Sequence, residues 1–359
     1  MSSISDLRLQ AQCLRNLRAT MVQRGDMPPY SGRPRGYLDA LFLGTAIGRL
    51  LPPGVKSDGP IEDGVQTQTL IAWHENGAPT FRITRDALDS FLLTDVSSLT
   101  WGDLTFPFDP FLILPPEDNP LVFISEDGVH RNIQHIWVSV AYLPPQNTPM
   151  SISEGLEEAF RKPDHSKSIA ELDEKLGYLP YLVVSANEDG SEGFGLSRHF
   201  VLGDGALSIR PWLNGDLPGR KSNWLNEKSK FTMELICRVV ANLVMWLDGS
   251  DTATGKRNWS KPIVRKRPGL VKTQEFVVGR NIRISQSLRD AAKALRLSDS
   301  NVKARESWHL LEQLLVRGHW KSQAYGPRCS LHRRIQIEPY WKGEESAPIR
   351  TREFTLGEE

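Results

Sequence analysis

Apolar and polar positions along this chain repeat with two periods, and the switches between them mark the predicted elements. Leu7, Leu14, Leu17 and Met21 recur near helical spacing and predict a helix over 4–23. A second helix is expected from Tyr37 to Leu51, stopped by Pro52-Pro53-Gly54. After a polar loop, Lys56–Gly64, the stretches Thr67–Trp73 and Thr80–Thr84 are rich in β-branched and aromatic residues. They read as two strands paired through the turn His74–Pro79. Arg85–Thr94 reads as a short helix. Leu104–Leu114 holds Pro107 and Pro110, which predict an edge element at best. Leu121–Ile124 and Ile133–Leu143 read as strands, the second alternating through Ile133, His135, Trp137, Ser139 and Ala141.

Pro144–Pro149 is the expected hinge. Beyond it, Ser151 with Glu154 and Ser168 with Glu171 have capping-box spacing, and Gly177 closes the second of these helices. Leu179–Ala186 reads as a strand, as do Arg198–Leu202 and Ala206–Ile209 around the turn Asp204-Gly205. Phe231–Leu247 is the most apolar segment and predicts a long core helix ended by Gly249. Glu234, Arg238 and Asn242 inside it argue against a membrane span. A basic linker, Ser250–Arg267, leads to a strand over Gln274–Ile284 and helices over Ser285–Leu297 and Ser300–Leu314. The order of elements predicts an α+β fold of mixed helices and mostly antiparallel strands, with a C-terminal β-hairpin packed on helices. The expected regions are 1–145, 150–255 and 256–359, which can also form one continuous domain.

Composition fits a folded soluble protein, with 39% hydrophobic and 24% charged residues. Cys13, Cys237 and Cys329 are odd in number and far apart, so neither a disulfide framework nor a metal site is expected. A reducing, cytoplasmic setting follows as the expectation, with no membrane partner. Charge changes the picture more. Residues 256–352 hold 22 Lys and Arg against 8 Asp and Glu, a balance of +14, which leaves −13 for the remainder. Such a split suits either pairing between the two parts or a surface for polyanions, RNA or an acidic peptide.

Candidate chemistry concentrates in residues 316–343, which hold four Trp and Tyr, two His and six Lys and Arg. Val316–Tyr325 predicts a strand, 326–330 a turn, and Leu331–Trp341 a second strand. Leu331, Arg333, Ile335 and Ile337 then share one face, and His332, Arg334, Gln336 and Glu338 the other. Pairing brings His319 or Trp320 near Ile335 or Ile337, and sets Arg317 on the face of Arg333 or of Arg334 but not both. Pro339 forces an edge before Tyr340-Trp341-Lys342. An aromatic shelf beside arginines suits base stacking with phosphate contacts, or capture of a peptide strand along an exposed edge. The expected binding residues are Arg317, His319, Trp320, Gln323, Tyr325, Arg333, Arg334, Tyr340, Trp341 and Lys342. The plain alternative is a half-buried hairpin whose aromatic residues pack on the core helix.

His319 and His332 offer a second chemistry, as acid and base on an RNA 2′-hydroxyl with Arg or Lys holding the phosphorane charge. His130 and His135 lack partners in metal register, and Gly193-Phe194-Gly195 lacks a nucleotide-loop context, so no metal or cofactor is expected. A third reading is a structural or interaction module with no role on nucleic acid.

The run Arg317-Gly318-His319-Trp320, then Tyr325-Gly326, His332-Arg333 and Ile337-Glu338-Pro339, ending Tyr340-Trp341-Lys342-Gly343, resembles the tail of a family of inhibitors. This is a phage- and plasmid-borne type V-A anti-CRISPR family, proteins of mobile genetic elements. Looser similarity extends to Leu99–Ile124 and Val239–Leu247. Where relatives often carry a Trp near Ile335–Ile337, this chain has Gln336. The resemblance implies a cytoplasmic, non-enzymatic protein that binds the nascent N-terminal peptide of a CRISPR effector nuclease. It also implies action at the ribosome or mRNA, lowering effector production through degradation of the message under translation. By position in the motif, Arg317, His319, Trp320, Tyr325 and Arg333 are the residues it points to.

Overall fold

A computed structural model of the chain describes residues 4–24, 37–50, 60–118, 121–124, 130–143, 161, 171, 179–188, 196–201, 208–214, 227–248, 250–251, 256–257, 275–280, 282–297, 314–325, 327 and 331–342. The fold is α+β. Its main sheet runs β10 (Glu275–Val278), β1 (Thr80–Ile83), β3 (Phe111–Leu114), β5 (His130–Leu143), β6 (Leu179–Glu188) and β7 (Leu196–Val201). A short strand, β4 (Leu121–Ile124), pairs the first residues of β5 on the β3 side. β10 and β3 both run parallel to β1, while the pairings of β5 with β3, β4 and β6, and of β6 with β7, are antiparallel. Strands from all three regions expected from the sequence therefore share one sheet.

Helices cover both faces. On one side lie α1 (Ile4–Arg24), α2 (Tyr37–Leu50) and α3 (Pro60–Glu75); there Trp73 and Ala78 pack with Leu112, Leu114 and Trp137. On the other lie α4 (Arg85–Leu93), α6 (Glu227–Asp248) and α7 (Gln286–Leu297), packed on Phe81, Ile83, Phe111, Ile113, Ile136 and Val138. Period-two alternation explains the division, since Phe111 and Ile113 face one layer and Leu112 and Leu114 the other. A strand buried on both faces reads as a continuous apolar run, as Phe111–Leu114 does. Here the sequence reading is corrected: β3 is an interior strand, and Pro107 and Pro110 lie in the approach to it.

A second correction concerns Thr67–Trp73, which is part of α3 and not a strand. Its β-branched residues find buried places in the helical layer, where Thr69 Oγ1 donates to Ser139 Oγ at 3.4 Å. Tertiary packing overrides weak strand propensity at such positions. The strand expected over Gln274–Ile284 ends at Val278, because Gly279 turns with a φ of +83°. A Cβ on Gly279 would lie 2.2 Å from the Ala87 Cβ, so glycine permits the approach of α4. Thr84 caps α4, its side chain accepting from the Ala87 N–H and donating to the Gly279 carbonyl. The predicted α1, α2, α4, α6 and α7 are present, as are β4, β5, β6 and β7. Ala206–Ile209, read as a strand, contributes an isolated bridge at Ser208 and leads into α5 (Arg210–Asn214). The hinge 144–149, the turn Asp204-Gly205 and, apart from the single residues Arg161 and Glu171, the helices opened by Ser151 and Ser168 fall on stretches outside the described residues, as does 300–313 of the last predicted helix.

Candidate functional site

The carboxyl-terminal ribbon is a hairpin in two steps. β11 (Leu314–Val316) pairs with β14 (Tyr340–Lys342), and β12 (Gly318–Tyr325) pairs with β13 (Leu331–Ile337). The strands predicted as continuous are broken at Arg317 and at Glu338-Pro339, where the ribbon turns a corner. Gly318 makes that corner possible. A Cβ there would stand 2.6 Å from Thr94 Oγ1, 2.9 Å from the Ile337 carbonyl oxygen and 3.0 Å from Pro339 Cδ. The same residue begins β12, which runs parallel to the short strand β2 (Thr94–Asp95) at the end of α4.

Register divides the hairpin residues into two sets. Trp320 stands opposite Gln336, Ser322 opposite Arg334, and Ala324 opposite His332. His319 stands opposite Ile337, Lys321 opposite Ile335, Gln323 opposite Arg333, and Tyr325 opposite Leu331. Cross-strand partners share a face. The first set docks through Trp320, Gln336 and Arg334, while Ser322, Ala324 and His332 are exposed. Trp320 is buried in the main core, and its indole Nε1 donates to Asn242 Oδ1 at 2.8 Å. Gln336 Nε2 donates to Thr94 Oγ1 at 3.2 Å. Arg334 grips Asp103 with two bonds, Nε to Oδ1 at 3.2 Å and Nη2 to Oδ2 at 3.1 Å. The Leu/Ile face is half-buried at Ile335 and Ile337 and exposed at Leu331. Polar residues thus form much of the docking face, because the surface they meet is polar too.

That surface is built by α6 and the end of α4. Glu234, Arg238 and Asn242 recur every four residues and share one stripe of α6. Arg238 Nη2 donates to Glu234 Oε1 at 2.8 Å, and its Nη1 to the Leu92 carbonyl at 3.2 Å. Asn242 Nδ2 lies within hydrogen-bond distance of the carbonyls of Phe91, Thr94 and Arg238. Thr94 Oγ1 donates to the Ser90 carbonyl at 2.8 Å. Carbonyls at the end of α4 lack partners within the helix, so this stripe supplies them, and a guanidinium there suits the helix dipole. Burying a primary amide is costly unless it is satisfied. Asn242 is fully buried and uses both its Nδ2 and its Oδ1.

The expected binding residues are therefore not one shelf. Trp320 is a core residue, and Trp341 is partly buried against the same core. Arg334 is committed to Asp103. Arg317 lies in the strand break and is exposed; partial desolvation, then the Arg238 charge, lower its pKa against the opposing charges of Asp95 and Glu234. His319, Lys321, Gln323, Tyr325, Tyr340 and Lys342 are exposed. Arg333 stands opposite Gln323 in the register. His319 and His332 are not brought together. His332 pairs with Ala324, five positions along β12 from His319, which at about 3.3 Å per residue is roughly 16 Å, and on the other face. They cannot serve as acid and base on one phosphate. The residues missed from sequence are Asn242, Arg238 and Asp103. The four-residue spacing of Glu234, Arg238 and Asn242 was the available signal.

The outer edge of β13 carries no partner strand among the described residues, since β13 ends the order β13, β12, β2. Tyr325 and Leu331, at 36% and 49% exposure, stand together at the tip of that edge. No described helix is long and apolar enough to cross a membrane, and among the described residues no group of His, Cys, Asp and Glu is arranged to hold a metal ion.

No protein-family model and no curated protein matches the chain. Among solved structures, one described as "Crystal structure of AcrVA2" is similar over 93% of this chain and 94% of its own, at 12% identity and a TM-score of 0.45. A likeness of that degree assigns no activity to the chain.

Proposed function

We propose that this chain is an anti-CRISPR-like binder that captures an extended segment, the nascent N-terminal peptide of an effector nuclease, along the outer edge of β13. The observation that carries the reading is the edge itself. A strand edge with no partner strand among the described residues, flanked by exposed Tyr325 and Leu331, is suited to adding a peptide strand. The inward residues are already committed to the core, which leaves the edge and its neighbours for a partner. The tail motif of Arg317–Trp320 and its companions supports the family of inhibitors as the source of that partner. The +14 third, with exposed Lys321 and Lys342, adds attraction to the phosphates of ribosome or mRNA. The separation of His319 from His332 favours this reading over RNA cleavage.

The test has two arms. Purified protein is titrated with a labelled peptide of the effector's first residues, beside a Tyr325→Ser, Leu331→Lys double variant. The variant is expected to keep its unfolding midpoint and lose at least tenfold in affinity; equal binding by both proteins sinks the edge as the site. In translating cells, message loss is expected to disappear when the first effector codons are recoded to a different peptide. Persistence of the loss would remove peptide recognition from the account.

A further inference from the structure

Away from the hairpin, the seam between α1 and α3 holds buried nitrogen atoms with no hydrogen-bond partner among the described residues. Leu7 packs against the cluster containing Trp73, and the next residue on each helix is Arg8 and His74. The Nε and Nη2 atoms of Arg8 are buried and have no hydrogen-bond partner among the described residues. These two atoms form the side-on fork of a guanidinium, whose N–H groups are parallel and match the two oxygens of a carboxylate or phosphate. His74 is 4% exposed, and its Nδ1 also lacks a partner among the described residues.

Nearby carboxylates are already engaged. Glu75 Oε1 lies 3.3 Å from Arg15 Nε, and Glu275 Oε1 lies 3.2 Å from Arg82 Nε. The Glu275 charge also attracts Arg8, so Arg8, Arg15 and Arg82 share two carboxylates, which leaves one positive charge over among these five groups. Arg8 is half-buried, but two of its guanidinium nitrogens are shut off from water without acceptors, which is expensive and calls for a compensating group. Desolvation, then the Arg15 and Arg8 charges, hold the His74 pKa down against Glu75, so His74 stays neutral. In its Nδ1–H tautomer it can donate to an acceptor without adding charge.

We infer that Arg8 and His74, with Arg15 at the rim, form a binding site for a small singly charged oxyanion, a carboxylate or a phosphate, seated on the Arg8 Nε/Nη2 fork. The site is independent of the peptide edge and joins α1 to α3 by way of a ligand. An anion bound only in the folded state stabilises it by RT ln(1 + [L]/Kd), so the unfolding midpoint rises with the logarithm of anion concentration above Kd.

The experiment follows thermal unfolding of the full chain in sodium phosphate, sodium acetate and sodium chloride at matched ionic strength. Phosphate, acetate or both should raise the midpoint by about 2 °C or more over chloride; which of them acts identifies the source of the oxyanion. Arg8→Met should abolish the rise, and in chloride alone it should be as stable as the parent or more so, because an unpaired buried charge has gone. Arg8→Lys keeps the charge but not the fork, and should respond less than the parent. No anion-specific rise, or an equal rise in Arg8→Met, overturns the site. A marked loss of stability for Arg8→Met in chloride would also overturn it, since the fork would then be satisfied within the chain.

Discussion

Trp320 and Asn242, 78 positions apart, join the hairpin to the core through one buried hydrogen bond of 2.8 Å. The same amide also contacts the carbonyls of Phe91 and Thr94 through Nδ2. One side chain thus fixes the end of α4, the stripe of α6 and the base of the hairpin at a single point. The exposed edge of β13 is positioned by that point, so binding and folding are linked through residues a partner need not touch.

Trp320→Phe should cost about 1–3 kcal/mol, because it leaves Asn242 Oδ1 buried without a donor. Trp320→Ala should cost about 3–5 kcal/mol by adding a cavity. Urea unfolding of Trp320→Phe, Asn242→Ala and the pair gives a coupling term, expected to reach about 0.5 kcal/mol or more. Strict additivity would show that the bond contributes nothing. A Trp320 variant that kept full stability yet lost binding would instead make Trp320 a contact residue.

Gly318→Ala should destabilise by about 1–3 kcal/mol, since its Cβ meets backbone and ring atoms that cannot swing aside. Hydrogen exchange would report the damage first in β12 and β13. Unchanged protection there would mean that the ribbon corner has more room than its geometry gives.

Arg334→Gln should loosen the hairpin from Asp103 at a cost of about 1 kcal/mol or less, as the Arg334 side chain is 35% exposed and screened. For RNA binding, the exposed Lys321 and Lys342 are the residues whose replacement should flatten the salt dependence. Arg334→Gln alone should leave that slope unchanged. A slope lost through Arg334 alone would place phosphate on a residue that Asp103 already occupies.

His135 lies buried on β5, and desolvation pulls its pKa from 6.5 down to about 4. The unfolded chain takes up this proton first, so stability is complete above about pH 6.5 and falls as pH drops towards 4. The full effect is about 3 kcal/mol. Urea midpoints measured from pH 7 to pH 4 should fall less steeply in His135→Leu than in the parent. Parallel profiles would show that His135 is not the group responsible.

Much of the framework was legible in local pattern. Period-two alternation marked β5, the stretch Arg85–Thr94 read as α4, and the three polar interruptions marked α6 as a buried helix and not a membrane span. The errors share a cause. Thr67–Trp73 and Leu104–Leu114 were judged by local propensity, whereas their state is set by neighbours distant in sequence: the sheet beneath α3, and β1 and β5 on either side of β3.

The hairpin shows the boundary between the two sources. Alternation along 318–337 pointed to two paired strands and to which residues within each strand would share a face, because side-chain direction has a fixed period in any strand; the register between the strands stayed open. It did not determine which face would be buried. By hydrophobicity the Leu331, Ile335 and Ile337 face is the natural inward one. The tertiary structure turned the face of Trp320, Arg334 and Gln336 inward, because Asn242, Asp103 and Thr94 offer matching hydrogen bonds there. Those partners come from elements far along the chain, and the complementarity exists only once α4 and α6 have packed together.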